Sequence, residues 1–312
     1  MTRSPILALL VLFTTASASV SGQTVERSPW TVRGHLPVEQ FIIQAHRGAG
    51  ELAEENTIEA FELGWSLNCI PEADVRTTKD GVIVPFHDAN FARVVRGVSP
   101  ELAKKGVGDL TFAELQKLDV GAWRGERFEG RRVGTLRQVF DVMSKDRSRR
   151  LYLDIKEVDL KQLAEEVREA DVAPQVIFAS TKYPLIREWK ALVPESKTLL
   201  WMGGTEEALN KRFEELRETD FDAVDQLQIH TNLAKPIDEI NRDTKDPFKE
   251  SDAFLMARGE ELRKRGILYQ TLPWKGTAPG VYAKLLDLGF MSFATDHPKV
   301  TWQAVRSYYE SE

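Results

Sequence analysis

Four short runs in this chain carry side chains able to do acid–base and metal chemistry: His46-Arg47-Gly48, Glu72-Ala73-Asp74, His87-Asp88 and Asp154-Ile155-Lys156. The two acids of the second run are separated by one residue. On a strand that spacing sends both carboxylates to the same face, as a hard cation such as Mg2+ or Ca2+ requires. Asp154 and Lys156 share a face for the same reason. Apolar neighbours flank Glu72 and Asp74, and a buried strand does not carry two unpartnered carboxylates. His46 and His87 add imidazoles, the side chain suited to give or take a proton near neutral pH. Either histidine alone reads as structural, but two of them beside three acids read as an acid–base pair. His35, His230 and His297 lack such company and read as ordinary surface or structural residues.

These runs need elements that bring them together. After a polar stretch ending near His35, apolar runs of strand length alternate with segments of helical period, the pattern of βαβ units around a parallel sheet. Nine strands are expected, at 41–45, 70–75, 82–86, 151–155, 176–179, 198–202, 224–229, 267–271 and 290–294. The link between the second and third, residues 76–81, is too short for a parallel crossover and contains the turn pair Asp80-Gly81. Those two runs therefore form an antiparallel hairpin, which sets His87 opposite Glu72 or Asp74. The remaining eight can all run parallel and close into a (β/α)8 TIM barrel, one domain over residues 36–312. Barrel strands all end at one face, where barrel enzymes keep their active sites, so the four chemical runs converge there. Helix starts are expected at Asn56, Thr111, Thr135 and Asp159, each three residues before an acid or amide, and the first helix is expected to bury Ile58, Phe61 and Trp65. An inserted segment, about 89–134, with a short helix of its own, is long enough to form a lid or substrate-binding cap at the barrel mouth.

The run Ala45-His46-Arg47-Gly48, then Glu55-Asn56-Thr57 with Ala60-Phe61, Glu72-Ala73-Asp74-Val75, Thr78-Lys79-Asp80-Gly81 and His87-Asp88 resembles the signature of the glycerophosphodiester phosphodiesterase family, within the PLC-like phosphodiesterases, in order and spacing. A weaker similarity continues through Asp154-Ile155-Lys156 and Thr295-Asp296-His297-Pro298. The succession of short elements makes the first block specific, where any one alone would be worthless. The resemblance implies a TIM barrel, one divalent cation and two catalytic histidines, carried here by His46 and His87 as acid and base in either order. Glu72 and Asp74 match metal ligands. Asp154, the third ligand, stands where a glutamate is usual, which shortens its reach by one methylene. The tryptophan-led motif expected on a late strand is replaced by Thr271-Leu272-Pro273-Trp274, which leaves Trp274 as pocket wall or core residue.

The implied reaction is hydrolysis of a glycerophosphodiester, for example glycerophosphocholine or glycerophosphoethanolamine, to glycerol phosphate and an alcohol. Arg47 and Lys156 would then face the substrate phosphate. Three carboxylates and a phosphodiester monoanion against two cationic side chains leave two negative charges, which one divalent cation cancels. The family resemblance suggests attack by the neighbouring glycerol hydroxyl through a cyclic phosphate, with direct attack by water as the competing route. Two other readings stay open. A lysophospholipase D-like or sphingomyelinase D-like activity needs a broad apolar approach, and Phe91, Leu110, Phe112, Trp123 and Phe128 of the insertion offer apolar residues for one. A catalytically decayed barrel that only binds phosphodiesters is the third, encouraged by Asp154 and the altered late strand.

The rest of the sequence sets bounds. The chain has 312 residues, 42% hydrophobic and 29% charged, as for a soluble globular protein with a substantial core. A net charge of -6 without a basic run makes nucleic acid a poor partner, and the family resemblance implies a small-molecule phosphodiester instead. Residues 1–22 read as a cleaved secretory signal, with Arg3, an apolar core at 6–13 and the small residues Ala16-Ser17-Ala18, so a secreted or periplasmic protein is expected. No run approaches bilayer-spanning length, so no stable membrane insertion is expected. The one cysteine, Cys69, forms no intrachain disulfide and reads as a small buried hydrophobe. The sequence leaves the oligomeric state unknown.

Overall fold

The computed structural model describes residues 30–311, so the expected signal segment at 1–22 lies outside the described residues. The strands are β1 (Ile42–Ala45), β2 (Ile70–Thr77), β3 (Ile83–Pro85), β4 (Leu151–Glu157), β5 (Val176–Ser180), β6 (Lys197–Met202), β7 (Gln226–Asn232), β8 (Leu268–Trp274) and β9 (Ser292–Thr295). Hydrogen bonding follows the order β1-β9-β8-β7-β6-β5-β4-β2, and β1 pairs back onto β2, so eight parallel strands close a barrel. β3 lies antiparallel on β2, with Val75 facing Pro85 and Thr77 facing Ile83. The hairpin therefore forms as expected, but its register places Phe86, not His87, beside Asp74: the Phe86 N–H donates to the Asp74 carbonyl at 2.6 Å.

Around the barrel pack α1 (Ile58–Ser66), α4 (Leu136–Met143), α5 (Leu160–Glu169), α6 (Tyr183–Leu192), α7 (Glu206–Arg217), α8 (Asp252–Lys264), α9 (Pro279–Asp287) and α10 (Pro298–Glu310), while the short α2 (Pro100–Ala103) and α3 (Phe112–Leu115) belong to the insertion. Thr111 and Thr135 close capping boxes with Glu114 and Gln138, and Asp159 accepts from the N–H groups of Lys161 and Gln162. Asn56 is not a cap. Thr57 caps α1, accepting from the Ala60 N–H at 3.2 Å, and Asn56 at φ 57 is turned to another task. In α1, Phe61 is fully buried, whereas Ile58 and Trp65 are half-buried at the edge of the core.

Period-two alternation decides what each strand contributes. Ala73 and Val75, Leu151 and Leu153, and Leu227 and Ile229 face outward into the layer between barrel and helices. The residues between them face the axis. The axis is apolar low in the barrel, around Ile70, Tyr152, Ile177 and Leu199. A layer of glutamines completes it: Gln228 donates to Gln44 at 3.3 Å and to Gln270, while Gln270 donates to Ser292 at 2.8 Å.

The insertion has a small core of its own, in which Val84, Phe86, Phe91, Val94, Val95, Val107, Leu110, Leu115, Leu118, Val120 and Val133 are buried. Phe91 and Leu110 are thus consumed inside the insertion, not spread as an apolar approach, and Phe112, Trp123 and Phe128 are only half-buried. Cys69 is buried, and burial pushes its thiol up to about 12, as suits a packing residue. Among the described residues no helix is long and apolar enough to cross a membrane.

Candidate active site

The axis-facing residues of several strands meet at the C-terminal mouth of the barrel. Parallel register sets Ala45 beside Pro71 and beside Thr295, so the next residues, His46, Glu72 and Asp296, stand at one level. Asp74 pairs directly with Asp154 across β2 and β4. A cavity of about 110 Å³ opens there, lined by His46, Arg47, Glu72, His87, Asp154 and Lys156 on one side and by Trp201, His230 and Trp274 on the other. Every residue expected from the sequence is thus at this mouth, with Asp74 just beneath the lining.

Glu72, Asp74 and Asp154 are 5%, 0% and 6% exposed, and one carboxylate oxygen of each lies within 4.8 Å of the others. Asn56 explains part of this placement. Its amide donates to Asp74 Oδ2 at 2.8 Å and its carbonyl accepts the Asp74 N–H at 2.9 Å, so one side chain pins both backbone and carboxylate. Lys156 Nζ lies 3.0 Å from Asp74 Oδ1 and 2.6 Å from Asp154 Oδ2. Charge then sorts the acids. Burial alone would raise Asp74, but the cationic side chains around it, Lys156 first, then Arg47 and His46, outweigh it and hold its carboxyl below the ordinary value. For Asp154 burial wins over Lys156, and with Glu72 and Asp74 nearby the carboxyl is pushed up to about 6. Glu72 is raised chiefly by burial, and its Oε2 is buried with no hydrogen-bond partner among the described residues. Three crowded oxygen donors, one of them orphaned, fit a hard divalent cation.

The two histidines are held differently. His46 donates Nδ1–H to Asp296 Oδ1 at 2.7 Å. Burial opposes its charge, yet Glu72 and the Asp296 hydrogen bond outweigh burial and push the imidazole up to about 9. His87 places Nδ1 2.6 Å from Asp88 Oδ1, while its Nε2 faces the guanidinium of Arg47, with NH2 at 3.0 Å. A guanidinium only donates, so Nε2 is the acceptor and the ring is the neutral Nδ1–H tautomer. Burial would raise Asp88, but hydrogen bonds from Arg93 and His87 hold its carboxyl at about 2. Arg47, at φ 54 in the loop after β1, also reaches Glu55 Oε2 at 3.2 Å. Glu55, His87 and Asp88 form a second tight group, but Arg93 already meets both carboxylates at 2.5 and 2.7 Å, so their charge is answered.

The far wall corrects the reading of His230. It is no ordinary surface residue: it lies in the cavity, stacked on Trp201 with ring centroids 4.9 Å apart and edge-on to Trp274 at 5.6 Å. Its Nε2 bonds Gln228 Oε1 at 2.7 Å, and burial with the nearby His46 and Lys156 charges pushes it down to about 4, so it is neutral. Trp201 Nε1 donates to Asp154 Oδ1 at 3.3 Å, and Trp274, 36% exposed, completes the wall. A signal for these residues was present. Gln226-Leu227-Gln228-Ile229-His230 alternates polar and apolar residues, so the polar set must face the axis. His297 keeps to the rim, paired with Glu51 at 2.7 Å.

Fold and site together define a parallel (β/α)8 barrel protein with an anion-receptive mouth, cationic side chains set over a buried carboxylate triad. Residues 46–300 match the profile of the glycerophosphoryl diester phosphodiesterase family, and the chain belongs to that family. A glycerophosphodiester phosphodiesterase of Caldanaerobacter subterraneus subsp. tengcongensis is 32% identical over 163 residues, 50% of this chain and 64% of that protein, so the match spans less than two thirds of that relative. A lysophospholipase D of Mus musculus is 28% identical over 273 residues, 81% of this chain and 82% of that protein. Among solved structures, the Oleispira antarctica phosphodiesterase in complex with the product sn-glycerol-3-phosphate superposes with a TM-score of 0.60 at 24% identity, covering 89% of this chain and all of that one. The last likeness bears on the fold alone.

Proposed function

We propose that the protein hydrolyses glycerophosphodiesters to glycerol phosphate and an alcohol, with His87 as general base and His46 as general acid. The observation that carries this reading is that two imidazoles on one cavity are each tied through Nδ1 to a carboxylate, His46 to Asp296 and His87 to Asp88, while His87 turns its Nε2 to a donor, Arg47. His87 presents Nε2 as an acceptor, so it can take the proton of an attacking hydroxyl or water. His46, tied to Asp296 through Nδ1, keeps Nε2–H as the proton to hand to the departing alkoxide. One new P–O bond forms, one breaks, and the two imidazoles exchange roles as acid and base. Each transfer is worth on the order of 10²- to 10⁴-fold. Arg47 and Lys156 take the phosphoryl oxygens; when Arg47 turns to the phosphate, it frees His87 Nε2.

Glu72, Asp74 and Asp154 would hold one Mg2+ or Ca2+, which supplies charge to polarise the phosphoryl group. Export from the cytoplasm through the signal at 1–22 would suit scavenging of phosphate or glycerol. The mouse lysophospholipase D relative supports a second reading, an acylated substrate. Consumption of the insertion's apolar residues in its own core disfavours that reading.

The experiment is hydrolysis of glycerophosphocholine, with its acylated counterpart alongside, by the unmutated protein, His46→Ala and His87→Ala. Turnover by the first and a loss of about 10²-fold or more in both variants is expected. Normal turnover in either variant removes that histidine, and activity that survives a chelator removes the cation. Binding without turnover by the unmutated, metal-loaded protein would mean a decayed barrel. N-terminal sequencing of protein recovered outside the cytoplasm tests export.

A further inference from the structure

We propose that Arg93, supplied by the inserted segment, is a positioning residue that fixes the tautomer of His87 and the aim of Arg47 together. The proposal rests on the reading of His87 as the base.

Five side chains close a ring at the edge of the cavity. Arg93 forks both ways: its Nε and NH2 meet Asp88 at 2.7 and 2.8 Å, and its NH1 and NH2 meet Glu55 at 2.8 and 2.5 Å. Asp88 passes the constraint to His87 Nδ1 at 2.6 Å, Glu55 passes it to Arg47 NH1 at 3.2 Å, and Arg47 closes the ring on His87 Nε2 at 3.0 Å. Each carboxylate thereby serves two partners. Without Arg93, neither Asp88 nor Glu55 has a fixed orientation, because His87 and Arg47 each offer only one side of the contact. With Arg93, Asp88 must accept from Nδ1, which leaves Nε2 as the lone pair. A planar guanidinium suits this task, since it can meet two carboxylates bidentately, whereas a lysine ammonium cannot.

The insertion makes Arg93 rigid. Its neighbours Phe91, Val94 and Val95 are 0%, 2% and 3% exposed in the insertion's core, and its guanidinium lies 5.2 Å from the Trp123 ring centre in the same segment. The segment from 89 to 134 is thus more than a cover for the barrel. It carries a part of the acid–base machinery that the barrel strands do not supply.

The test is Arg93→Gln and Arg93→Lys, assayed on glycerophosphocholine over a pH range, with melting curves and nitrogen NMR of the His87 imidazole. The charged groups facing His87 are Asp88 and Arg47, with Glu55, Arg93 and Asp74 behind them and Arg76 on its carbonyl at 3.0 Å. Removing one positive charge from this set leaves the acids in excess. Arg93→Gln is expected to lower kcat about tenfold or more with little change in KM, and to move the acid limb of kcat/KM to higher pH. The NMR signal is expected to show a mixture of tautomers. Arg93→Lys should return the limb to its place, because the charge is restored, yet leave kcat short, because the double fork is not. An unchanged limb and tautomer in both variants overturns the proposal, even if activity falls in step with melting temperature. Should Arg93→Gln fail to fold, Arg93→Lys with normal kcat and tautomer overturns it. Normal turnover in His87→Ala overturns the base reading and this proposal with it; loss there, with unaffected Arg93 variants, overturns this proposal alone.

Discussion

Asp296 holds His46 Nδ1 at 2.7 Å, and with Glu72 it keeps that imidazole charged against burial, up to about 9. A histidine raised above its ordinary 6.5 stabilises the fold in full below about 6.5, and the gain is lost as pH rises through about 9. The metal-free protein should therefore lose resistance to urea across that window, and Asp296→Asn should lose less; an equal fall of the urea midpoint in both proteins between pH 6.5 and 9 would remove Asp296 from this role. Asn56 carries a different load. Asn56→Ala removes both hydrogen bonds to Asp74 and puts alanine at φ 57, for an expected loss of about 2–4 kcal/mol. Asn56→Gly relieves the backbone but not the lost bonds. Both variants should bind Mg2+ or Ca2+ about tenfold more weakly by calorimetry, since Asp74 is no longer oriented. If the Asn56→Gly variant binds normally, the orientation comes from Lys156 instead.

At the scale of elements, the loop after β1 decides whether the chemistry is aligned. It carries His46 and Arg47, and α1 lies so close that a Cβ on Gly64 would stand 2.3 Å from the Gly48 carbonyl oxygen. Gly64→Ala must push the loop from α1. The expected result is a lower melting temperature and a kcat loss of about tenfold or more that persists where the variant is fully folded. A folded Gly64→Ala with normal kcat would show that the loop yields without moving its side chains. The hairpin β2–β3 and the insertion work as one unit on the other side: Val84 and Phe86 of the hairpin arm belong to the insertion's core, so His87 is anchored to that core.

For the whole molecule, the carboxylate triad is a source of repulsion that folding must overcome. Glu72, Asp74 and Asp154 share about 4.8 Å of space with one ammonium, Lys156, between two of them. A cation that binds only the folded barrel stabilises it by mass action, by about 2.7 kcal/mol at a hundredfold excess over its Kd. Calorimetric scans should show Mg2+ or Ca2+ raising Tm, a chelator reversing this, and Glu72→Gln abolishing most of the shift. A Tm indifferent to both cations would mean that Lys156 already satisfies the site.

The sequence by itself determined the barrel, the hairpin and the residues brought to the mouth, because strand alternation, turn chemistry and parallel topology are local rules that compound. It also carried more than apolar content suggested: the alternation in β7 pointed His230 at the axis, although strands read only as hydrophobic runs hide such positions. Other features had no local signature. Phe91 and Leu110 look the same in sequence whether they line a substrate path or a miniature core, and only packing separates the two. Asn56 has the spacing of a helix cap, yet Thr57 is next to it and Asp74 needs a partner. The protonation states of the histidines were furthest from reach. His46 owes its state to Glu72 on the neighbouring strand and to Asp296, 250 residues away in the chain, and His87 owes its tautomer to Asp88 and Arg47. A proton's position is set by the donors and acceptors around a ring, and those are assembled only when the barrel closes.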